Sequence, residues 1–154
     1  ADALNLLTKL KLSAKLPKNI IITPHPGEAS RLLGKSIDEI ESNRFEAVSL
    51  LQRKFNCVVV LKGSGSLVCY SKGGKQQIGI CEAGNPGMAS GGMGDILTGI
   101  ITGFLAQGLS LIEATELGVD IHAKAADLKS LETGEAGLLA SDVLEELRQL
   151  LKYE

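Results

Sequence analysis

The residues with the most chemical potential lie between Gly84 and Gly99, in the run GNPGMASGGMGDILTG. Its first half is mostly small residues, and its second half begins an apolar helix. Backbone N–H groups at a helix start, with no Cβ in the way, form a site for an anion, and phosphate is the natural guest. Asp95 follows in the first helical turn, where the positive end of the helix favours a carboxylate. A carboxylate beside a phosphate is placed to take a proton from a hydroxyl that attacks phosphorus. The same residues also fit a loop that lets a helix pack closely, with Asp95 only satisfying the helix start. By itself the run leaves both readings open. Gly99 and Gly103, four apart, read as helix-packing glycines.

Two shorter segments stand beside it. In Lys62-Gly63-Ser64-Gly65-Ser66 a cation and two flexible glycines follow a strand-like run, an arrangement that can wrap a phosphate or a ribose. A tight turn with a solvated lysine is the competing reading. In Thr23-Pro24-His25-Pro26-Gly27-Glu28 two prolines hold the backbone around His25, so its imidazole could meet a ligand or serve structure only. Glu28 reads most simply as a capping or dipole partner. His122, alone in a helical stretch, reads as packing.

The elements that must position these segments follow from apolar spacing. Asn19–Thr23 and Cys57–Leu61 are β-branched runs, expected as buried strands. Pro26 suits the first turn of a helix that Gly34 closes. Residues 36–55 space their apolar side chains as one amphipathic helix, with Asp38 and Glu39 early and Arg53 and Lys54 late, matched to its dipole. Leu67–Tyr70 and Gln76–Ile80 predict a hairpin around Lys72-Gly73-Gly74-Lys75. Three helices are expected after it: Asp95–Gln107, apolar on nearly every side and so buried; Leu111 to about Leu131; and Ser141–Leu151 with Ser141 as N-cap. An opening helix from Ala1 to about Lys11 precedes them all. Strands with helical crossovers predict an α/β architecture with a largely parallel sheet, in one domain spanning 1–154. In such sheets ligands gather beyond the carboxyl ends of the strands, where the loops after Thr23 and Leu61 lie.

Composition narrows the classes. The 154 residues carry a net charge of −2, with neither a basic face nor interleaved aromatics, so nucleic-acid binding has little support. Aromatics are 3% with no Trp, so the core must be aliphatic. Runs such as Cys57–Leu61 are too short to cross a bilayer. Cys57, Cys69 and Cys81 form no CxxC pair and read as thiols in a reducing cytoplasm, not as a metal site. No P-loop pattern and no GxGxxG after a strand is present, so any nucleotide is held by another scheme. The first residue is not Met and lies inside a helical pattern, which reads as a fragment or processed piece.

Taken in order, TPHPGEASRLLG (23–34), VVVLKGSGS (58–66) and GNPGMASGGMGDILTGIITG (84–103) resemble the bacterial ADP-dependent (S)-NAD(P)H-hydrate dehydratase family, and the opening ADALNLL resembles the segment before that family's TPHPGE strand. The resemblance implies a ribokinase-like three-layer α/β/α fold, incomplete here at its N-terminal side. It implies repair of hydrated NADH or NADPH, with ADP phosphorylating the ring hydroxyl before phosphate leaves. On this likeness Asp95 is the base and a substrate contact, and His25 contacts the hydrated dinucleotide. Lys62, Gly63, Ser64, Gly65, Ser66 and Gly94 bind the nucleotide, and Gly87, Gly91, Gly92 and Gly94 hold the transferring phosphate. Mg2+ is expected with the nucleotide, its ligands unassigned. The likeness further implies a cytoplasmic homo-oligomer, a tetramer, with no membrane partner, and a chain of 154 residues that is inactive alone or needs a partner chain. A small-molecule kinase of the same fold and a non-catalytic adenine-nucleotide-binding module are the alternatives.

Overall fold

The computed structural model describes residues 2–10, 17 and 19–152. Among the described residues eleven regular elements follow one another. They are α1 (Asp2–Leu10), β1 (Ile21–Ile22), α2 (Pro26–Leu33), α3 (Ile37–Ser42), α4 (Arg44–Phe55), β2 (Val58–Leu61), β3 (Ser66–Lys72), β4 (Lys75–Cys81), α5 (Met93–Ala106), α6 (Leu111–Thr133) and α7 (Ala140–Leu150). Short 3-10 turns lie at Pro86–Ala89 and Glu135–Gly137. The chain divides into two compact units, Ala1–Ile80 and Cys81–Glu154. Residues Ala1 and Lys11 of the expected opening helix lie outside the described residues.

In the first unit the sheet runs β1-β2-β3-β4. β1 and β2 pair in parallel, Ile21 opposite Val58 and Ile22 opposite Val59. β2 and β3 pair antiparallel, Val59 opposite Cys69 and Leu61 opposite Leu67. The α/β class stands, but the sheet is mixed and not largely parallel. The hairpin supplies two of its four strands, and a hairpin can only run antiparallel to itself. Its turn follows from Gly73 (φ 59°) and Gly74 (φ 77°), two positive-φ residues in a row as a twisted two-residue turn requires. The strand expected over residues 19–23 is regular only at Ile21–Ile22. The ladder nevertheless continues past both ends, through Val58 N to Ile20 O (3.2 Å) and Lys62 N to Pro24 O (2.9 Å).

β2 is buried at all four residues, so a continuous apolar run was its signature. α4 packs Ala47, Val48, Leu51 and Phe55 into the same core as Val59, Leu61, Leu67 and Cys69. The single helix expected over residues 36–55 is two. Asn43 leaves helical geometry (φ −145°, ψ 73°) and caps α4, its side chain accepting from Glu46 N at 3.1 Å. Ser36 caps α3 in a reciprocal box with Glu39. Two caps in series outweigh an apolar period that alone would have run through.

In the second unit α5 buries Met93, Leu97, Ile100, Ile101 and Phe104. Gly118 of α6 faces Ile101, where an added Cβ would lie 2.6 Å from Ile101 Cγ1. Close helix packing therefore depends on Gly118, not on Gly99 or Gly103. Those two lie on an exposed face of α5, with no atom near the position of a Cβ. The helix is therefore not buried all round. Thr98 and Thr102 on that face return their hydroxyls to Gly94 O and Thr98 O. A second core gathers Met93, Ala125, Ala126, Leu138 and Val143. α7 starts one residue earlier than expected, so Ser141 is inside the helix and is not its N-cap. Asp142 instead closes the start, its Oδ2 accepting from Leu139 N at 2.9 Å.

Candidate functional sites

One candidate site sits at the carboxyl ends of the parallel pair β1–β2, inside the first unit. Beyond β1 the chain passes Pro24 and enters α2 with Pro26 at its first position. His25 is the N-cap: its Nδ1 accepts from Gly27 N (3.1 Å) and Glu28 N (3.3 Å). The Glu28 carboxylate reaches back and accepts from His25 N at 2.7 Å, completing a capping box. With Nδ1 accepting, the neutral ring carries its proton on Nε2. Burial lowers the His25 pKa below 6.5, and Lys62 and Arg31 add to that against the opposing pull of Glu28. His25 is thus both a structural cap and a neutral donor whose side chain is half exposed.

Glu28 has a second role that its capping position did not reveal. Its side chain is 2% exposed, and Oε2 lies 3.6 Å from His25 Nε2 and 3.9 Å from Lys62 Nζ. A carboxylate that deep needs charged or donor partners. It therefore ties the end of β1 to the end of β2, bringing His25 and Lys62 together around one anion. The loop after Lys62 turns through Gly63 (φ 146°) and Gly65 (φ 66°), backbone that favours glycine. Arg44, which the sequence reading did not single out, lies under this loop. Its Nη1 donates to Ser64 O and its Nη2 to Leu61 O.

Another candidate site lies inside the second unit. The loop before α5 is hung from α6: Asp127 accepts from Gly84 N (2.8 Å) and from Asn85 Nδ2 (2.9 Å), and Asn85 Oδ1 accepts from Gly87 N (3.0 Å). An added Cβ at Gly87 would overlap Glu135 O, so that glycine allows a close backbone approach. Gly92 is the N-cap of α5 with φ 89° and offers no side-chain oxygen. The amides of Asp95 and Ile96 turn back to Gly92 O at 3.0 Å. Among the described residues no partner accepts from the amides of Met93 or Gly94. Ser90 Oγ nearby in sequence is buried with no hydrogen-bond partner among them. Asp95 is exposed at the third helical position. The arrangement leaves donors and a carboxylate at one helix start, the parts that proton removal beside a phosphoryl group requires.

The three cysteines are free; Cys57 and Cys69 are buried. Burial pushes the Cys57 thiol up to about 12 and that of Cys69 to about 11. Among the described residues no three His, Cys, Asp or Glu side chains gather where a metal could be held. No helix among them is long and apolar enough to cross a membrane.

Comparison with known proteins shows the family and the fold. A family model described as NAD(P)H-hydrate dehydratase matches residues 1–149. A bifunctional NAD(P)H-hydrate repair enzyme of Coxiella burnetii is 53% identical over 98% of the chain, which spans 30% of that enzyme. An ADP-dependent (S)-NAD(P)H-hydrate dehydratase of Neisseria meningitidis is 41% identical over 97% of the chain, which spans 51% of its length. A ribokinase-like superfamily protein of Enterococcus faecalis superposes on 97% of the chain with TM-score 0.82 and 29% identity, half of that protein being covered. An ADP/ATP-dependent NAD(P)H-hydrate dehydratase of Bacillus subtilis, crystallised with ATP and Mg2+, superposes on 84% of the chain with TM-score 0.79 and 31% identity, 47% of it being covered. The fold is ribokinase-like, and the chain belongs to the NAD(P)H-hydrate dehydratase family.

Proposed function

We propose that the protein carrying this chain dehydrates the S form of hydrated NADH or NADPH at the expense of ADP. The observation that carries the reading is the start of α5. Asp95 stands exposed there, three residues after an N-cap glycine and beside the unpartnered amides of Met93 and Gly94. In this reading Asp95 accepts the proton of the hydrated ring's hydroxyl as that oxygen bonds to the terminal phosphorus of ADP and AMP leaves. Phosphate then departs from the ring by elimination, restoring the double bond. The amides of Gly94 and its neighbours offset the charge on the transferring group. Gly91, Gly92 and Gly94 form the anion set; the Gly87 amide already serves Asn85 Oδ1 and is left out of it. Lys62, Gly63, Ser64, Gly65 and Ser66 bind the adenine nucleotide, and His25 offers its Nε2–H to the hydrated dinucleotide.

Mg2+ would shield the nucleotide's phosphates. The described residues gather no ligand cluster for it, so no step is assigned through it. A cytoplasmic homotetramer is part of the same reading and rests on resemblance alone. The test uses the full-length protein with hydrated NADPH and ADP, following the absorbance of the restored cofactor. Asp95→Asn should lower turnover about 10²- to 10⁴-fold, the usual contribution of a positioned base, with ADP still bound. Undiminished turnover in that variant would remove Asp95 as the base. Absence of turnover in the wild type, with phosphorylation of a vitamin or sugar alcohol instead, would favour a small-molecule kinase.

A further inference from the structure

Arg44 is the first residue of α4, where the helix dipole disfavours a cation. A residue placed against its own helix in this way is held by something outside it. Its guanidinium spans the loop that leaves β2, with Nη1 on Ser64 O and Nη2 on Leu61 O at 3.3 Å. The side chain is 16% exposed, and Glu41 Oε2 lies 3.9 Å from its Nε. Gly63 is the counterpart in the loop: a Cβ there would stand 2.8 Å from Nη2. The loop and this one side chain thus lie in close contact at Gly63.

The consequence follows from peptide geometry. Among the described residues all peptide bonds are trans, so each C=O points opposite to the N–H of the next residue. With Leu61 O turned to Arg44, Lys62 N–H faces the other way and meets Pro24 O at 2.9 Å. With Ser64 O turned to Arg44, Gly65 N–H faces away from the guanidinium. Among the described residues no protein group accepts from it. We infer that Arg44 is a positioning residue for nucleotide binding: by holding the carbonyls of Leu61 and Ser64 it aims the Gly65 amide at the nucleotide without touching the ligand itself. The inference rests on the reading of residues 62–66 as the nucleotide loop. Lysine is a poor substitute for Arg44, because it offers one nitrogen on a flexible stem where arginine sets two nitrogens in a rigid fork, one for each carbonyl.

The experiment measures the ADP Kd, the KM for ADP, the KM for hydrated NADPH and kcat at saturating ADP in the full-length protein. Arg44→Lys and Arg44→Met should raise the ADP Kd and KM about three- to tenfold, the scale of one lost hydrogen bond. The KM for the hydrate and kcat at saturating ADP should stay put. Gly63→Ala, which pushes on the same guanidinium from within the loop, should also raise the ADP Kd and KM and serves if an Arg44 variant does not fold. The double variant should be markedly non-additive. A fall in active fraction with the ADP KM unchanged would mean a merely structural arginine and would overturn the proposal. Lys62→Met separates the two levels. If it weakens ADP while the Arg44 and Gly63 variants do not, the role of Arg44 fails and the nucleotide loop stands. If none of the three changes ADP affinity, the reading of the loop fails and the inference falls with it.

Discussion

Asp127 offers a test of how the loop before α5 is held. One oxygen accepts from Gly84 N and the other from Asn85 Nδ2, and Asn85 passes the order on by accepting from Gly87 N with its own Oδ1. Hydrogen bonds to a charged acceptor contribute about 1.5–3 kcal/mol each, so two would give at most about 3–6 kcal/mol. Gly84 is exposed, and water replaces the carboxylate there, so Asp127→Ala is expected to cost about 2–4 kcal/mol. Asp127→Asn discriminates better. Its amide has a single acceptor oxygen, so one of the two donors is left facing an NH2 group. Rotating Asn85 to escape that clash turns an NH2 towards Gly87 N. The near-isosteric change should therefore still cost about 1–3 kcal/mol, where an ordinary surface substitution stays within about 0.5 kcal/mol. The measurements are the denaturant midpoint of the full-length protein and kcat/KM for hydrated NADPH, both expected to fall. An Asn variant within about 0.5 kcal/mol of wild type and with unchanged kcat/KM would refute the chain of three hydrogen bonds as the loop's anchor.

Gly87→Ala should destabilise by about 1–3 kcal/mol, as overpacking does, because its Cβ overlaps Glu135 O; a wild-type melting midpoint would contradict this. His25 yields a pH prediction. Its folded pKa lies below 6.5, and protonation would also cost Nδ1 its role as acceptor from Gly27 N and Glu28 N. The unfolded chain therefore takes up the proton first, so the contribution of His25 is full above pH 6.5 and is lost as pH falls below that value towards the lower folded one. Asn keeps an N-cap acceptor without titrating. Between pH 7 and pH 5 the wild-type midpoint should thus fall further than that of His25→Asn, and parallel curves would count against the cap. Cys57 and Cys69, raised to about 12 and about 11, should resist alkylation of the native protein at neutral pH, while Cys81, half-buried, reacts first; equal labelling of all three would show that the first unit opens readily.

Local chemistry was legible wherever a residue's meaning depends on its chain neighbours. The run Val58–Leu61 announced a buried strand, Gly73-Gly74 a tight turn, Pro26 and Gly34 the two ends of α2, and the Gly91–Asp95 stretch a helix start with bare amides and a carboxylate. The break at Asn43 was written in the same local code, as Asn followed by Glu46 three residues on, but the apolar period running past it obscured the signal. Tertiary structure alone decided which distant groups meet. Nothing near Arg44 in sequence tells of the carbonyls of Leu61 and Ser64, nothing near Asp127 tells of Gly84, and Glu28 looks like a helix cap until Lys62 arrives beside it. Caps, turns and strand runs satisfy backbone groups within a few residues, so their cause is written locally. A buried carboxylate or a guanidinium spanning two carbonyls is satisfied by groups that only packing brings within reach, and the linear order of residues carries no record of that.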